Sequence, residues 1–263
     1  MRLKVLVIGD IVGSPGREII KQKLPGILKS QRINFCIANG ENVAGGSGIT
    51  PLLAEELFSN GIDVITTGDH IYKRKEIIPY LQTKPGILRP ANYSPDAAGS
   101  GYGVFKTSSA GVKIAVINLQ GRVFMPPSDC PFHAVDLIIK NISSQTKIII
   151  VDIHAEATSE KIALGWYLDG KTSLVFGTHT HIQTSDEKVL PKGTAYITDV
   201  GMTGPYESVI GRSTENVLSA FITQMPTHFD VAKDDVKLGG AIVTIDSKSG
   251  KALGIKRILI KAA

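Results

Sequence analysis

Cysteine is scarce: Cys36 and Cys130 are the only two in 263 residues. They stand far apart with no CxxC pair, which excludes a disulfide framework and a thiolate zinc site, and a reducing cytoplasmic location is expected. Long apolar runs are also missing. The opening "MRLKVLVIGD" carries an apolar stretch too short for a signal-peptide core and far short of a membrane span, so no membrane contact is expected. No charge sign dominates, since 29 Lys and Arg against 24 Asp and Glu leave +5. The densest basic cluster before the C-terminal strand is "YKRKE" (72–76), a mild attraction for anions and no extended nucleic-acid surface. Repeats, low-complexity tracts and linker-like stretches are absent as well, so one domain over residues 1–263 is expected.

What the chain does contain is apolar surface, 43% of its residues, enough to offset chain entropy. Five short apolar runs end in polar residues: "KVLVIGD" (4–10), "FCIANGEN" (35–42), "DVITTGDH" (63–70), "KIIIVDIH" (147–154) and "SLVFGTHTH" (173–181). They predict buried strands of an α/β protein. Helical spacing predicts helices at about 15–30, 51–60, 74–82, 132–144 and 158–168. Thr50 before Pro51 and Ser14 before Pro15 predict N-caps with proline in the first turn. Residues 101–121 and 239–261 predict hairpins around Ser/Gly turns. The sum is two sheets packed face to face with a helical layer on each.

Every one of the five runs finishes in oxygen or nitrogen donors: Asp10; Glu41 and Asn42; Asp69 and His70; His154; His179 and His181. An Asp after a strand glycine is commonly a helix N-cap, and a lone histidine is commonly a satisfied surface or core group, as expected for His133 and His228. The recurrence at strand ends predicts instead one shared site on the C-terminal edge of the sheets. Imidazole and carboxylate without thiolate suit Fe, Mn or Zn, and so many donors imply two ions. Ions about 3.5–4 Å apart can share a bridging hydroxide as nucleophile and clamp both oxygens of an in-line phosphoryl displacement. Asp10, Glu41 and Asp69 are the available bridging carboxylates.

Two motifs invite other chemistry and fail on context. "GWYLDGKT" (165–172) satisfies the phosphate-loop expression but follows a helix and leads into a strand, the reverse of a phosphate cradle. "GGSGI" (45–49) falls one glycine short of a nucleophile elbow and has no strand directly ahead. "GSPGR" (13–17) opens a helix after the first strand, where Ser14 or Arg17 could meet a substrate phosphate.

The stretches "GDIVGSPGR", "NGEN", "RPAN", "INLQGR", "HAEATSEK", "GTHTHIQT" and "GTAYITDVGMTGP", in this order over the whole chain, resemble the YmdB-like branch of the bacterial calcineurin-like metallophosphoesterases. The resemblance implies a four-layer α/β/β/α sandwich and a dinuclear phosphodiesterase that hydrolyses 2′,3′-cyclic nucleotides to 3′-nucleotides. It implies that Asp10, Asn42 and His181 hold one ion, that Asp69, His154 and His179 hold the other, that Glu41 bridges, and that His70 is the general acid. The cofactor is then two divalent or mixed-valence ions, Fe or Mn first and Zn third, and the partner a small nucleotide phosphodiester. The rival activities are a phosphomonoesterase, a 3′,5′-phosphodiesterase, or a weakly catalytic nucleotide- or protein-binding module; homo-oligomer formation stays open. Val12 stands where broader relatives carry histidine, as it does in this branch. One departure matters: the branch normally reads Gly-Asn-His where this chain has "GDH" (68–70), so Asp69 adds a negative charge to the site.

Overall fold

The computed structural model describes residues 1–107 and 111–262. The first half runs β1 (Arg2–Ile8), β2 (Asp10–Ile11), α1 (Gly13–Gln31), β3 (Phe35–Asn39), α2 (Pro51–Ser59), β4 (Val64–Thr66), α3 (Ile77–Leu81), β5 (Ile87–Leu88), β6 (Tyr102–Lys106) and β7 (Lys113–Gln120). The second continues with α4 (Pro131–Ile142), β8 (Ile149–His154), α5 (Thr158–Tyr167), β9 (Leu174–Thr178), β10 (Lys188–Val189), β11 (Ala195–Ile197), β12 (Met202–Pro205), α6 (Thr214–Thr223), β13 (Val236–Asp246) and β14 (Ala252–Lys261). One sheet has the order β2-β12-β13-β1-β3-β4-β5 with β14 against β13, and the other has the order β10-β11-β9-β8-β7-β6. Strands β1, β3, β4 and β5 are parallel, as are β7, β8, β9 and β11. Helices make the crossovers between sequential parallel strands, except from β9 to β11, where the chain passes through β10.

Alternation along each strand sorts the core into three layers. Leu3, Val5 and Val7 of β1 face inward and pack with Ile114 and Val116 of β7, Ile150 of β8 and Phe176 of β9 between the sheets. Leu6 and Ile8 face outward onto Ile19, Ile20 and Leu24 of α1. Ile117, Leu119, Val151 and Ile153 face outward on the second sheet onto Val135 and Ile138 of α4 and Leu164 of α5. These layers make the expected α/β/β/α arrangement, and every expected strand is present.

Both hairpins form, β6–β7 and β13–β14, although residues 108–110 of the first turn lie outside the described residues. Thr50 caps α2, its Oγ1 accepting from the Leu53 N–H at 3.3 Å. Ser14 is not a cap: α1 begins at Gly13, and the Val12 carbonyl accepts from the Gly16 N–H at 3.1 Å. The helix expected at 74–82 shrinks to Ile77–Leu81. Pro79 has no N–H to return to residue 75, so the turn ahead of it loses helical support. The stretch 165–172 closes α5 and turns into β9, and Lys171 pairs with Asp136 at 3.2 Å, which leaves no phosphate cradle there. Cys36 and Cys130 are unpaired.

Candidate metal centre

The inward face of the strands changes character in its last positions. β3 reads Phe35, Ile37, Asn39; β4 reads Val64, Thr66; β7 reads Ile114, Val116, Asn118, Gln120; β8 reads Ile150, Asp152, His154; β9 reads Leu174, Phe176, Thr178. The apolar layer between the sheets therefore ends in a buried polar layer at the C-terminal edge of both. Buried polar groups must find partners, and here they find one another. Thr178 Oγ1 donates to Asp152 Oδ1 at 2.8 Å, Thr66 Oγ1 donates to Asp152 Oδ2 at 2.5 Å, and Thr178 Oγ1 lies 2.9 Å from His154 Nδ1. Because the threonine proton goes to Asp152, Thr178 Oγ1 accepts from His154 Nδ1–H. That fixes the ring and turns His154 Nε2 into the cluster, where Glu41, Asp69 and Asp10 overcome burial and favour positive charge on the imidazole; a bound cation would take the place of that proton.

Nε2 of His154 meets a ring of donors. It lies 3.1 Å from Glu41 Oε1, 3.4 Å from Asp69 Oδ1 and 3.0 Å from His179 Nδ1. One ligand atom from each of these four residues falls within 4.8 Å of the others. Two imidazole nitrogens 3.0 Å apart beside two carboxylates need a positive charge among them. A second group adjoins the first: His181 Nε2 is 3.7 Å from Asp10 Oδ1 and 3.3 Å from Asn42 Nδ2, and Asn42 Nδ2 is 3.4 Å from Glu41 Oε1. A half-turn of the Asn42 amide presents its oxygen at the same point. Glu41 thus stands between the two groups.

Two carboxylate oxygens, Asp10 Oδ1 and Asp69 Oδ1, are buried without a hydrogen bond among the described residues. An uncompensated buried oxygen costs free energy, whereas a cation satisfies it, and nitrogen and oxygen donors without thiolate match a first-row divalent ion. The residues fit a metal pair. The electrostatics agree: burial pushes the Asp10 carboxyl up, beyond what His181 and His154 offset. Burial also works against ionisation of Glu41 and Asp69, yet the surrounding histidines outweigh it and hold both below the usual carboxylate range. Burial, then the neighbouring His154, pushes His179 down to about 3, so its ring is neutral and its lone pair available.

His70 follows Asp69 in the turn after β4. Its backbone N–H donates to Glu41 Oε2 at 3.1 Å, its Nδ1 lies 3.1 Å from Asn42 Oδ1, and its Nε2 lies 3.5 Å from Asp69 Oδ2. The ring is 30% exposed, the group in the cluster best open to an incoming molecule. Asp69 turns Oδ1 into the cluster, 3.4 Å from His154 Nε2 and 3.7 Å from His179 Nδ1.

His179 and His181 stand just past β9 in left-handed backbone, with φ of 94° and 65°. Non-glycine residues rarely adopt this conformation, and it is kept where the surroundings over-determine it. Between them, Thr180 donates from its N–H (3.2 Å) and its Oγ1 (2.6 Å) to Asp199 Oδ2, and Asp10 Oδ2 accepts the His179 N–H at 3.1 Å.

Ser14 and Arg17 lie in the first turns of α1, whose Gly13 N–H donates to the Asn42 carbonyl at 2.9 Å. Ser14 is exposed on α1, while Arg17 Nη1 donates to the Val43 carbonyl at 2.6 Å and Arg17 Nε lies 3.3 Å from Glu56. Arg17 is one of three guanidiniums on the loop after Asn42. Arg74 donates to the Ala44 carbonyl at 3.1 Å, and Arg212 donates to the Gly45 and Gly46 carbonyls. Sequence reasoning singled out neither Arg74 nor Arg212, nor the buried partners Asn39, Thr66, Asp152 and Thr178. His133 and His228 take no part, His228 facing solvent beside Asp230 at 3.5 Å.

The family model described as YmdB-like protein matches residues 6–258. The chain belongs to the YmdB-like family. It is 47% identical over 258 residues to the 2′,3′-cyclic-nucleotide 2′-phosphodiesterase of Bacillus subtilis, covering 98% of this chain and 97% of the relative. Among solved structures, a phosphatase of Mycoplasma pneumoniae superposes with a TM-score of 0.92 at 34% identity, over 99% of this chain and 94% of the other. A 5′-nucleotidase of Candida albicans shares the fold alone, with a TM-score of 0.59 at 13% identity over 98% of this chain and 50% of the nucleotidase. Among the described residues no helix is long and apolar enough to cross a membrane.

Proposed function

We propose that this YmdB-like protein is a metal-dependent phosphodiesterase that opens 2′,3′-cyclic nucleotides to 3′-nucleotides. The observation that carries this is the position of Glu41, whose Oε1 reaches both His154 Nε2 at 3.1 Å and Asn42 Nδ2 at 3.4 Å. A carboxylate between two donor groups suits a pair of ions, and a pair suits phosphoryl displacement. Asp10, Asn42 and His181 would hold one ion, Asp69, His154 and His179 the other, with Glu41 common to both; Fe or Mn suits the donors first and Zn third. Bound there, the ions supply an activated water and neutralise charge on the phosphoryl oxygens.

The chain's own residues do the rest. His70 carries the proton for the departing 2′-oxygen, as general acid. Its backbone tie to Glu41 fixes the loop, and contacts from Nδ1 to Asn42 and from Nε2 to Asp69 hold the ring toward the cluster. Asp69 adds anionic charge that tightens ion binding and lowers the Lewis acidity the substrate experiences. The B. subtilis relative, similar along nearly the whole chain, favours the cyclic diester over the phosphomonoester and 3′,5′-diester alternatives. A substrate panel at fixed Mn²⁺ tests this: 2′,3′-cyclic nucleotides should be cleaved fastest and yield the 3′-nucleotide. Faster cleavage of a monoester or of 3′,5′-cyclic nucleotides would reassign the substrate, and metal-dependent binding without product would favour a regulatory module.

A further inference from the structure

A general acid sits on the leaving-group side of the phosphate. In the reaction above the leaving oxygen is the ribose 2′-oxygen, so the nucleoside must lie on the side of the cluster occupied by His70. The structure has a cleft of about 740 Å³ on that side. Tyr72, two residues beyond His70, forms one wall with Tyr93, the rings 6.4 Å apart and tilted by 38°; Pro126 and Pro127 line the cleft from the loop after β7. That loop starts beside the cluster, because Gln120 is the register partner of His154 and the Gly121 N–H donates to the His154 carbonyl at 2.9 Å.

We propose that this cleft is the nucleobase site, with the tyrosine and proline faces taking the flat base; the inference rests on the phosphodiesterase assignment above. Every base has a π-face, so an aromatic wall binds bases with little dependence on their hydrogen-bonding edges. The walls are held in place before substrate arrives. Tyr93 Oη donates to Gln120 Oε1 at 2.6 Å, Gln120 Nε2 donates to the Pro126 carbonyl at 3.1 Å, and Tyr72 Oη donates to the Ala98 carbonyl at 2.6 Å. Asn92 Nδ2 ties the two ends of the proline loop together, reaching the Gln120 carbonyl at its start and Ser128 Oγ and the Asp129 carbonyl at its end. The Tyr93 hydroxyl is close enough to the cluster that, after burial, the charges of Asp69 and Glu41 are what raise its pKa most. The cavity beside His181, about 310 Å³, faces the wrong way: His181 Nδ1 is tied to the Ile210 carbonyl at 2.9 Å, and the ring presents Nε2 to Asp10.

The test compares substrates with and without a base. In Mn²⁺-loaded protein, kcat/KM is measured for 2′,3′-cyclic AMP and for methyl riboside 2,3-cyclic phosphate; affinities for 3′-AMP and methyl riboside 3-phosphate are measured by calorimetry. The base should favour the nucleotide by roughly tenfold or more in both assays. Tyr72→Ala should bring both ratios close to one, and Tyr72→Phe, which keeps the ring, should keep them. Tyr72→Leu preserves apolar bulk and carries the same expectation as alanine should Tyr72→Ala fold poorly. A ratio near one in the parent protein, an unchanged ratio in Tyr72→Ala, or its loss in Tyr72→Phe would overturn the base site. If neither cyclic diester is cleaved while 3′-AMP still binds in a Tyr72-dependent manner, the base site stands and the phosphodiesterase assignment falls.

Discussion

Lys161 Nζ lies 2.7 Å from Asp199 Oδ2, and neither side chain is exposed to solvent. The same Asp199 oxygen holds Thr180 by its N–H and hydroxyl, so a buried ion pair fixes the turn that carries His179 and His181 in left-handed backbone. Removing one partner of such a pair leaves an uncompensated buried charge, at a cost of about 3–5 kcal/mol. Lys161→Met should therefore lower the unfolding free energy, read from denaturant titration, by that order and reduce metal content. Lys161→Met/Asp199→Leu should regain stability, since apolar groups can replace a buried pair. It should not regain metal, because Thr180 has lost its acceptor; full metal content in the double variant would show that the turn needs no such support.

His70 touches three residues of the cluster but shares no donor point with them. His70→Ala should keep both ions by elemental analysis and lose hydrolysis by about 10²–10⁴-fold, the range for a general acid. Parental turnover of a 2′,3′-cyclic nucleotide would remove His70 from that role.

Asp69→Asn puts in place the amide that the family resemblance implies and removes one negative charge. Metal affinity should fall and turnover of the loaded enzyme should rise, both measured with Mn²⁺. Identical affinity and rate would show that the carboxylate at this position is silent.

Thr178 connects Asp152 to His154 Nδ1. Thr178→Val keeps the volume and removes the acceptor that fixes the ring, so metal affinity should drop by about 10–100-fold. The fold should persist, and a circular dichroism spectrum like the parent's checks that.

The donors and the strands that carry them were legible in the sequence because both follow from one pattern, a short apolar run that stops in Asp, Glu, Asn or His. Five such endings on parallel strands have one edge to converge on. The supporting residues were harder to read. Thr66, Asp152 and Thr178 belong to apolar strands and look like ordinary strand residues until the two sheets are superposed and their inward faces are seen to turn polar together. A period-two reading of "VIT", "IIVDIH" and "LVFGT" contains that signal, but only pairing across sheets gives it meaning. Helix α6 carried no usable burial pattern, since Val217 is its one buried residue and Phe221 and Ile222 are 75% and 80% exposed. Ser14 and Arg17 came from a different signal, a helix start near an anion site; in the structure the arginine meets the carbonyl next to Asn42 and Glu56.

The proposed activity depends on two ions that share Glu41 and act together on a cyclic phosphodiester. Titrating Mn²⁺ into chelator-treated protein while following conversion of 2′,3′-cyclic AMP to 3′-AMP tests it most directly. Activity should develop with the second equivalent and level off at two per chain, and Glu41→Ala should neither retain two ions nor turn over substrate. Full activity at one equivalent, or in chelator-treated protein, would contradict the dinuclear account.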